Sequence, residues 1–385
     1  MRKPSRIIFV QNRLDDLGGV SRWCATISAE LLERGYSVEI GGVVPAPDDE
    51  RAGYYSDAIR TWTLSPGARP HPDDYGSFFG RNRFNRAESR FQHGVRSSAR
   101  KILRGYGHDD LMIFTQIFAR ESFAPAFGDL EFRDRPRTIG QYHSSFSLAT
   151  ADGDRRRALD AYRNDDLFSC LTPEDAELFT RYGLNNSISV DNPVTLPGEA
   201  SMAALEAPIA VSLSRYDSIK QVDHMVKAWA LVHREAPEWQ LHLYGSGPLE
   251  DELRQEIVDA GLDGSVRLMG PTDRPAEVLS NASISLNSSR HEGFGLALGE
   301  AALLGVPSVA YACSPGVEEV VRDGETGVVV PANDVSALAH GILSLIRDPQ
   351  LRRQYGAAAR EYVSERFGVQ RVVDQWERVF ENVYR

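Results

Sequence analysis

The sequence predicts an α/β protein built from two Rossmann-like domains that face each other across a cleft. Its length of 385 residues suits two domains, each able to bury its own core. Short β-branched runs alternate with helical patterns along nearly the whole chain, which is typical of parallel sheets built from βαβ units. A linker that contains proline and glycine divides this pattern into two similar halves.

Apolar, β-branched runs are predicted to be strands, and helices are expected in the intervals between them. In the first half the predicted strands are Arg6–Val10, Ser37–Val43, Ile59–Leu64, Leu111–Thr115, Thr138–Tyr142, Leu167–Leu171 and Ser187–Val190. In the second half they are Ile209–Ser214, Gln240–Tyr244, Val266–Met269, Ile284–Asn287, Ser308–Tyr311 and Gly327–Val330.

The linker consists of Asp191–Val194 and the following Pro197–Gly198. Proline and glycine favour turns over regular elements, so we place the domain boundary here. The predicted domains are a first domain over residues 1–195 and a second domain over residues 196–367. Residues 368–385 carry apolar side chains at helical spacing, and we expect an amphipathic helix that buries this stripe.

Composition and charge limit the classes of function. The 43 Lys and Arg residues against 54 Asp and Glu residues give a net charge of −11, which argues against nucleic-acid binding. Cys24, Cys170 and Cys313 are too widely spaced for a disulfide framework or a zinc knuckle. The apolar run near the N-terminus is far shorter than the about 20 residues of a membrane span or the core of a signal peptide. We therefore expect a cytoplasmic protein with free thiols.

One stretch, between residues 81 and 104, reverses this acidic balance. Its cations stand against Glu88 alone, and apolar residues recur within it at helical spacing. The cations are Arg81, Arg83, Arg86, Arg90, Arg96, Arg100, Lys101 and Arg104. The stretch is either the solvated face of a helix or a docking surface for an anionic acceptor or an anionic membrane leaflet, where each cation contributes about 1 kcal/mol.

Two glycine-containing turns follow predicted strands and precede helical patterns. Gly18 and Gly19 open the first helix, where backbone N–H groups can bind an anion and a ligand can approach closely. Gly245 and Gly247, within Gly245–Pro248, occupy a similar place in the second half. For both turns the alternative is a connection between strand and helix that binds no ligand.

Arg215 and Lys220 follow the predicted strand Ile209–Ser214, at the end where open α/β sheets bind ligands. An arginine holds two phosphate oxygens at once, and a lysine adds a mobile positive charge, so the pair suits a diphosphate. The alternative is that both are ordinary surface cations.

The densest group of polar and glycine residues spans residues 287–296 and is followed by Glu300. Gly293 and Gly295 expose backbone N–H groups at the start of a helix, while Glu292 and Glu300 would reach different parts of a ligand. Either glutamate by itself is more often a helix cap or a solvated residue. Together with a glycine-rich turn they are more specific.

These motifs resemble the retaining nucleotide-sugar glycosyltransferases of family 4, which have the two-domain GT-B fold. The resemblance extends over nearly the whole chain and implies that the C-terminal helix crosses back to the first domain. It rests on Gly18-Gly19, Arg215 with Lys220, Gly245–Pro248, the spacing of Glu292 and Glu300, Gly305–Val309 and Asp323–Gly327.

The resemblance implies that the second domain binds a nucleoside diphosphate sugar, with a UDP-sugar favoured, and that the first domain, residues 1–195, is the acceptor side. Arg215 and Lys220 would bind the diphosphate, Glu292 the sugar hydroxyls and Glu300 the ribose. The remaining donor-binding positions implied in this way are Gly18, Gly19, Gly245, Gly247, Met269, Gly270, Gly293, Phe294, Gly295 and Leu296. His143 matches the family histidine that faces the reacting sugar. Without the family, it would more often be a hydrogen-bonded loop or core histidine.

Two further segments, Lys220–His224 and Tyr311–Glu319, are most similar to the branch that glycosylates polyol-phosphate polymers such as teichoic acids. That branch carries an acidic residue at the position of Ala312. The regularly spaced phosphates of such a polymer would match the spaced cations of residues 81–104. Other cell-envelope glycans, lipid-linked or glycolipid acceptors and small molecules remain alternative acceptors. Peripheral contact of the protein with the inner face of the membrane is a further alternative.

The reaction implied is transfer of a hexosyl unit to a hydroxyl with retention of anomeric configuration. No metal or other cofactor is expected, because the cations can neutralise the departing diphosphate. A glycoside hydrolase is disfavoured, since the two glutamates lie in phosphate-type surroundings. The alternatives of another class are a sugar-nucleotide epimerase and a sugar-nucleotide-binding protein without turnover.

Overall fold

A computed structural model of the chain describes residues 3–75, 80–198 and 201–384. Its contacts form two compact units. The first unit comprises the chain up to Pro193 together with the residues from Val372 onward, and the second comprises Val194–Arg371. Each unit contains one parallel sheet whose strands are connected through helices.

The first unit contains a seven-stranded sheet. Its strands are β1 (Arg6–Leu14), β2 (Val38–Pro45), β3 (Arg60–Thr63), β4 (Asp110–Phe114), β5 (Arg137–Gln141), β6 (Leu167–Cys170) and β7 (Ser187–Ser189). Its helices are α1 (Gly19–Glu33), α2 (Gly80–Leu103), α3 (Ile117–Phe127), α4 (Phe146–Ala151), α5 (Asp154–Tyr162) and α6 (Pro173–Arg181). The strand order is β3-β2-β1-β4-β5-β6-β7. All seven predicted strands are present, although β1 continues beyond its predicted end.

The second unit contains a six-stranded sheet. Its strands are β8 (Ile209–Leu213), β9 (Gln240–Tyr244), β10 (Val266–Gly270), β11 (Ile284–Asn287), β12 (Ser308–Tyr311) and β13 (Gly327–Val330). The helices that follow in the chain are α7 (Val222–Glu235), α8 (Glu250–Asp259), α9 (Pro275–Ser280), α10 (Leu296–Leu303), α11 (Pro315–Val320), α12 (Val335–Arg347), α13 (Pro349–Phe367) and α14 (Val369–Val383). The strand order is β10-β9-β8-β11-β12-β13.

The central strands are buried on both faces, as expected of parallel sheets covered by helices. Every residue of β4 is buried, and so is every residue of β12. This explains why apolar residues follow one another over Leu111–Phe114 and Val309–Tyr311 and do not alternate with polar ones. The three cysteines are free thiols, as predicted.

The strand order reverses once in each sheet, and this reversal locates the expected ligand sites. In the first unit the chain moves outward from β1 in one direction and from β4 in the other. In the second unit the reversal lies between β8 and β11. Loops that leave the carboxyl ends of two such strands diverge and form a crevice in which α/β proteins bind ligands.

The C-terminal helix α14 buries its apolar stripe in the first unit. The Trp376 ring packs edge-on against the Trp23 ring at 5.8 Å between centroids. Arg34 donates hydrogen bonds to Asp374 at 2.6 Å and to Glu377 at 2.8 Å. The amphipathic pattern of the last residues is thus explained by packing against α1.

Within the described ranges, none of the helices has the length and hydropathy needed to span a bilayer.

Candidate active site

The strongest candidate site lies at the strand-order reversal of the second unit, where Lys220 and Glu292 meet. Lys220 follows β8 and Glu292 follows β11, and the Lys220 Nζ lies 2.6 Å from the Glu292 Oε1. Asn287 Nδ2 and Ser289 Oγ donate to the same oxygen at 3.0 and 2.9 Å. Oε1 therefore accepts three hydrogen bonds, while Oε2 has no hydrogen-bond partner among the described residues.

The loop after β8 is fastened so that Lys220 points toward this carboxylate. The Asp217 Oδ1 accepts the N–H groups of Ile219 and Lys220, both at 3.0 Å. Ser288 Oγ donates to the carbonyl oxygens of Lys220 and Gln221 at 3.0 and 2.7 Å, which joins the two loops. Gln221 has a φ of 46°, in the left-handed region, and α7 begins at the next residue, Val222. This turn holds Lys220 at the end of the loop.

Arg215 is placed differently from Lys220. Its side chain is exposed, and its nearest carboxylate is Asp217 at 3.7 Å. Among the described residues it forms no ion pair with Glu292. The structure therefore brings Lys220 and Glu292 together but leaves Arg215 on the rim of the loop, free to move toward an anion.

The glycines after β9 are required by close backbone packing. Tyr216 N–H donates to the Ser246 carbonyl at 3.0 Å. A Cβ at Gly245 would collide with the Ser214 carbonyl oxygen, and one at Gly247 would collide with the Tyr216 carbonyl oxygen. The loop therefore supports the strand end that leads to Lys220, and its glycines are explained without a ligand.

The glycine-rich turn after β11 leads into α10 as predicted. Gly295 is the N-cap residue, and Leu296 is the first residue of the helix. Glu300 is buried in the second turn of α10. The Phe294 ring is buried and packs on the Phe367 ring at 5.0 Å between centroids. Only the backbone of Phe294 is therefore suited to contact a ligand.

Met269 and Gly270 end β10 at the edge of the same sheet. The Met269 side chain is exposed, and Gly270 has a positive φ of 74°. The Gly270 carbonyl accepts the N–H of Gly245 at 2.9 Å, which places the two turns side by side.

The position of Gly293 depends on α11. A Cβ at Gly316 would collide with the Gly293 carbonyl oxygen, which is backbone and cannot turn aside. We expect Gly316→Ala to displace the turn and to weaken binding of a UDP-sugar at least about 10-fold, since overpacking forces backbone shifts that cost about 1–3 kcal/mol. Calorimetric titration of the variant checks this. Gly264→Ala is the control, because a Cβ there meets no atom within 4 Å, and equal affinity for both variants would contradict the expectation.

Gly18 and Gly19 lie at the start of α1 in the first unit and are exposed. The Asp16 Oδ1 accepts the Gly18 N–H at 3.2 Å and the Ser21 hydroxyl at 2.6 Å. A carboxylate of the chain itself therefore already lies at this helix start. The role of the two glycines as phosphate contacts stays a prediction.

His143 follows β5 in the first unit and lies beside Trp23, with 5.0 Å between ring centroids. Its Nε2 is buried and has no hydrogen-bond partner among the described residues. Burial lowers the pKa of His143 to about 3, so the imidazole is neutral near pH 7. A neutral ring is suited to exchange a hydrogen bond with a ligand rather than to act as a cationic acid.

This burial predicts how stability depends on pH. The unfolded chain binds a proton at His143 near pH 6.5 and the folded chain only near pH 3, so stability falls as the pH drops through this window. Between pH 6.5 and 5 the loss is up to about 2 kcal/mol. We expect His143→Phe to lose less stability than the wild type when urea unfolding is compared at pH 7 and pH 5. An identical pH dependence for the two proteins would contradict this.

The basic stretch forms most of α2. Val95, Ala99 and Leu103 are buried at four-residue spacing, and all eight predicted cations have exposed side chains. Glu88, the single acidic residue of the stretch, is engaged by Arg69 at 2.8 Å. Arg100 pairs with Asp129 at 2.5 Å, and within the described part of the chain the other seven cations form no ion pair. We call this surface the α2 basic face.

The predicted site residues thus fall into two groups. Lys220, Glu292, Glu300 and the glycine turns after β9 and β11 belong to the second unit, whereas His143, Gly18, Gly19 and the α2 basic face belong to the first. Asn287 and Ser289, which fix Glu292, received no role from sequence reasoning. Their position at the carboxyl end of β11 is the signal that indicates one. In the described part of the chain no group of three or more His, Cys, Asp or Glu side chains is arranged to hold a metal ion.

The comparison with protein families bears on the unit that contains this site. Residues 199–362 match the family model described as glycosyl transferases group 1. This segment is somewhat less than half of the chain. It includes Lys220, Glu292 and Glu300 and lies entirely within the second unit.

Curated relatives align with about half of this chain, a share similar to that of the family match. An exopolysaccharide phosphotransferase of Streptomyces coelicolor is 43% identical over 162 residues, which are 42% of this chain and 17% of that protein. A poly(glycerol-phosphate) α-glucosyltransferase of Bacillus subtilis is 31% identical over 217 residues, which are 55% of this chain and 32% of that protein. The chain therefore spans no more than about a third of the length of these relatives.

Solved structures extend the likeness to nearly the whole chain. A mutant of S. aureus TarM, determined in complex with Fondaparinux, α-GlcNAc-glycerol and UDP, matches with a TM-score of 0.78 at 15% identity. The alignment covers 98% of this chain and 99% of that one. At this identity the likeness concerns the fold, and it confirms the predicted GT-B fold with two Rossmann-like domains.

Proposed function

We propose that the chain is a retaining glycosyltransferase of family 4 that transfers a hexosyl unit from a nucleoside diphosphate sugar, with a UDP-sugar favoured, to a hydroxyl acceptor. The observation that carries the proposal is the Lys220–Glu292 pair, held by Asn287 and Ser289 at the strand-order reversal. The pair lies within the segment that matches glycosyl transferases group 1.

The donor would be recognised by charge and by hydroxyl contacts. Lys220 uses one of its three N–H donors on Glu292, so two remain for diphosphate oxygens. Arg215 is exposed and is suited to hold two phosphate oxygens once an anion is present. The open Oε2 of Glu292 would accept a sugar hydroxyl, and Glu300 would bind the ribose.

The chemistry that fits is substitution on one face of the sugar. The bond between the anomeric carbon and the diphosphate oxygen breaks, and the acceptor oxygen forms its bond to the same carbon from the same side. The acceptor proton passes to the departing diphosphate oxygen, so charge and atoms balance. Lys220, Arg215 and the backbone N–H groups of Gly293, Gly295 and Leu296 would stabilise the negative charge that develops on the diphosphate.

For the acceptor we propose a polyol-phosphate polymer or another anionic cell-envelope glycan. The α2 basic face supports this, because exposed cations spaced along a helix attract phosphates spaced along a polymer. The Bacillus subtilis relative is named for a poly(glycerol-phosphate) substrate. Attraction to an anionic membrane surface, which is the alternative for this face, is tested by sedimentation with anionic and with neutral vesicles.

The first experiment measures the nucleotide that is released from UDP-, GDP- and ADP-sugars, with and without poly(glycerol phosphate). We expect UDP to be released from one UDP-sugar in an acceptor-dependent way. Nuclear magnetic resonance of the product should show the anomeric configuration of the donor. The reaction in the presence of EDTA tests the expectation that no metal ion is needed.

Other outcomes would replace the proposal. Release of UMP would indicate transfer of a sugar phosphate, because the bond broken is then the one inside the diphosphate. Conversion of the sugar nucleotide without acceptor would indicate an epimerase. Tight binding of one sugar nucleotide without turnover by any acceptor would indicate a binding protein.

A further inference from the structure

The first unit contains a cavity of about 790 Å³ at the carboxyl ends of its central strands. Residues that end β2, β1, β4 and β5, or directly follow them, line it, and His143 is among them. The cavity therefore lies at the strand-order reversal between β1 and β4. This is the place where an α/β sheet binds its ligand.

Two side-chain amides in this cavity are oriented by the backbone. Gln116 Oε1 accepts the Asn12 N–H at 2.8 Å, and Asn12 Oδ1 accepts the Ala119 N–H at 2.9 Å. Only the carbonyl oxygen of an amide can accept these bonds, so the NH2 groups of both side chains are left as donors. Among the described residues neither Asn12 Nδ2 nor Gln116 Nε2 has an acceptor. Both residues line the cavity.

The charged residues of the cavity are not arranged for a phosphate. Its arginines are already paired, since Arg13 donates to Glu50 at 2.9 Å and Arg69 to Glu88 at 2.8 Å. Arg157 donates to Glu121 at 2.8 Å and to Asp154 at 2.7 Å.

A further carboxylate, that of Asp152, also lines the cavity. The charged lining thus consists of three arginines and the carboxylates of Asp152 and Asp154, and each guanidinium is already paired with a carboxylate. Because these arginines are engaged, a neutral ligand is favoured over an anion.

The remaining lining is suited to the C–H surfaces of a sugar or polyol. Pro45, Ala46 and Pro47 follow one another along one wall, and Ile117 and Phe118 contribute to the lining beside Gln116. Apolar walls combined with a few oriented polar groups are typical of small-molecule sites.

We propose that this cavity binds the neutral, hydroxyl-bearing unit of the acceptor, and that Asn12 and Gln116 are positioning residues that donate hydrogen bonds to its oxygens. His143, neutral and with a free Nε2, lies in the same cavity. Phosphates of a polymeric acceptor would stay outside the cavity and contact cations that do not line it. This inference rests on the proposed function, because it names the acceptor class of that reaction.

The test uses the full chain and two substitutions that keep the backbone contacts. Asn12→Asp and Gln116→Glu retain an oxygen for the Ala119 and Asn12 N–H groups but replace each NH2 donor by a carboxylate oxygen. We expect the KM for the acceptor to rise at least 10-fold in either variant, with the Kd for UDP unchanged. Gln350→Glu is the matched control, since it adds the same charge at an exposed position at the start of α13.

Direct binding gives a readout that does not need transfer. Saturation-transfer nuclear magnetic resonance compares methyl α-glucopyranoside and glycerol with glucose 6-phosphate and glycerol 3-phosphate. We expect the neutral probes to bind and both variants to weaken them at least 10-fold. Tighter binding of the phosphorylated probes that is lost in the variants, or equal binding by the variants and the wild type, would overturn the inference.

The failure of this inference is distinguishable from failure of the proposed function. If the wild type transfers sugar while both variants keep the wild-type acceptor KM, the cavity assignment is wrong and the glycosyltransferase stands. If no acceptor supports transfer by the wild type, the proposed function fails, and the binding measurement still decides whether the cavity takes a neutral hydroxyl-bearing unit.

Discussion

Lys220→Met is expected to lower kcat for acceptor-dependent UDP release by about 10²–10³-fold, which is typical of removing one group that stabilises developing negative charge. The methionine keeps the length of the side chain but removes the ammonium, whose Nζ lies 2.6 Å from Glu292. The affinity for UDP should fall as well, because the diphosphate loses a cation. Steady-state kinetics and calorimetric titration with UDP measure the two effects.

The control for this variant is Lys227→Met on α7. Lys227 forms an ion pair of similar length, 2.7 Å, with Asp223, but its side chain is about half exposed. We expect this change to leave kcat within 3-fold of the wild type. A Lys220→Met enzyme that keeps wild-type kcat would remove the central support for the proposed chemistry.

A positioning role for Lys220 is separable from contact with the diphosphate. Glu292→Gln keeps a side-chain oxygen for Asn287 and Ser289 but loses the charge that holds Lys220. If Lys220 acted only by holding Glu292, combining the two substitutions would lower kcat no further than Glu292→Gln by itself. We expect a further decrease, because in the proposed reaction the ammonium would contact the leaving group as well.

The second large effect is expected for the α2 basic face. Replacing Arg83, Arg86 and Arg90 together by alanine should raise the KM for poly(glycerol phosphate) at least about 10-fold at low salt. The slope of log KM against log salt concentration should become shallower, because fewer counterions are released on binding. Transfer to a neutral acceptor, or uncoupled hydrolysis of the donor, should not change.

The matched control replaces Arg254, Arg353 and Arg360, which are exposed on α8 and α13 of the second unit. Their removal changes the net charge of the chain by the same amount. If both triple variants had the same KM and the same salt dependence, the acceptor would respond to net charge rather than to this face. Vesicle sedimentation that depends on the α2 arginines would instead favour contact with a membrane.

Much of the fold was predictable because its signals are local. All thirteen predicted strands are present, from β1 at Arg6–Leu14 to β13 at Gly327–Val330. Parallel strands covered on both faces require continuous apolar runs, and these are visible without an alignment. The linker and the amphipathic helix α14 could be predicted for the same reason, because turn chemistry and helical periodicity depend on neighbouring residues.

The candidate site was only partly predictable. Lys220 and Glu292 were assigned to different parts of a ligand, and the structure shows that they also contact each other across 72 positions of sequence. Asn287 and Ser289 fix the same carboxylate oxygen, which no spacing rule indicates. Gly245 and Gly247 were assigned to a ligand, but close contact with the backbone of the preceding loop accounts for them equally well.

The sequence by itself determined the two α/β units, the order of their elements and the loops that carry polar chemistry, because periodicity and turn residues act over a few positions. Only the tertiary structure decided which loops lie side by side. The loops after β8 and β11 meet around Glu292, and those after β1 and β4 meet around the cavity of Asn12 and Gln116. Those meetings depend on strand order, which is set by packing between distant segments. The burial that keeps His143 neutral arises in the same way, from side chains that are remote in sequence.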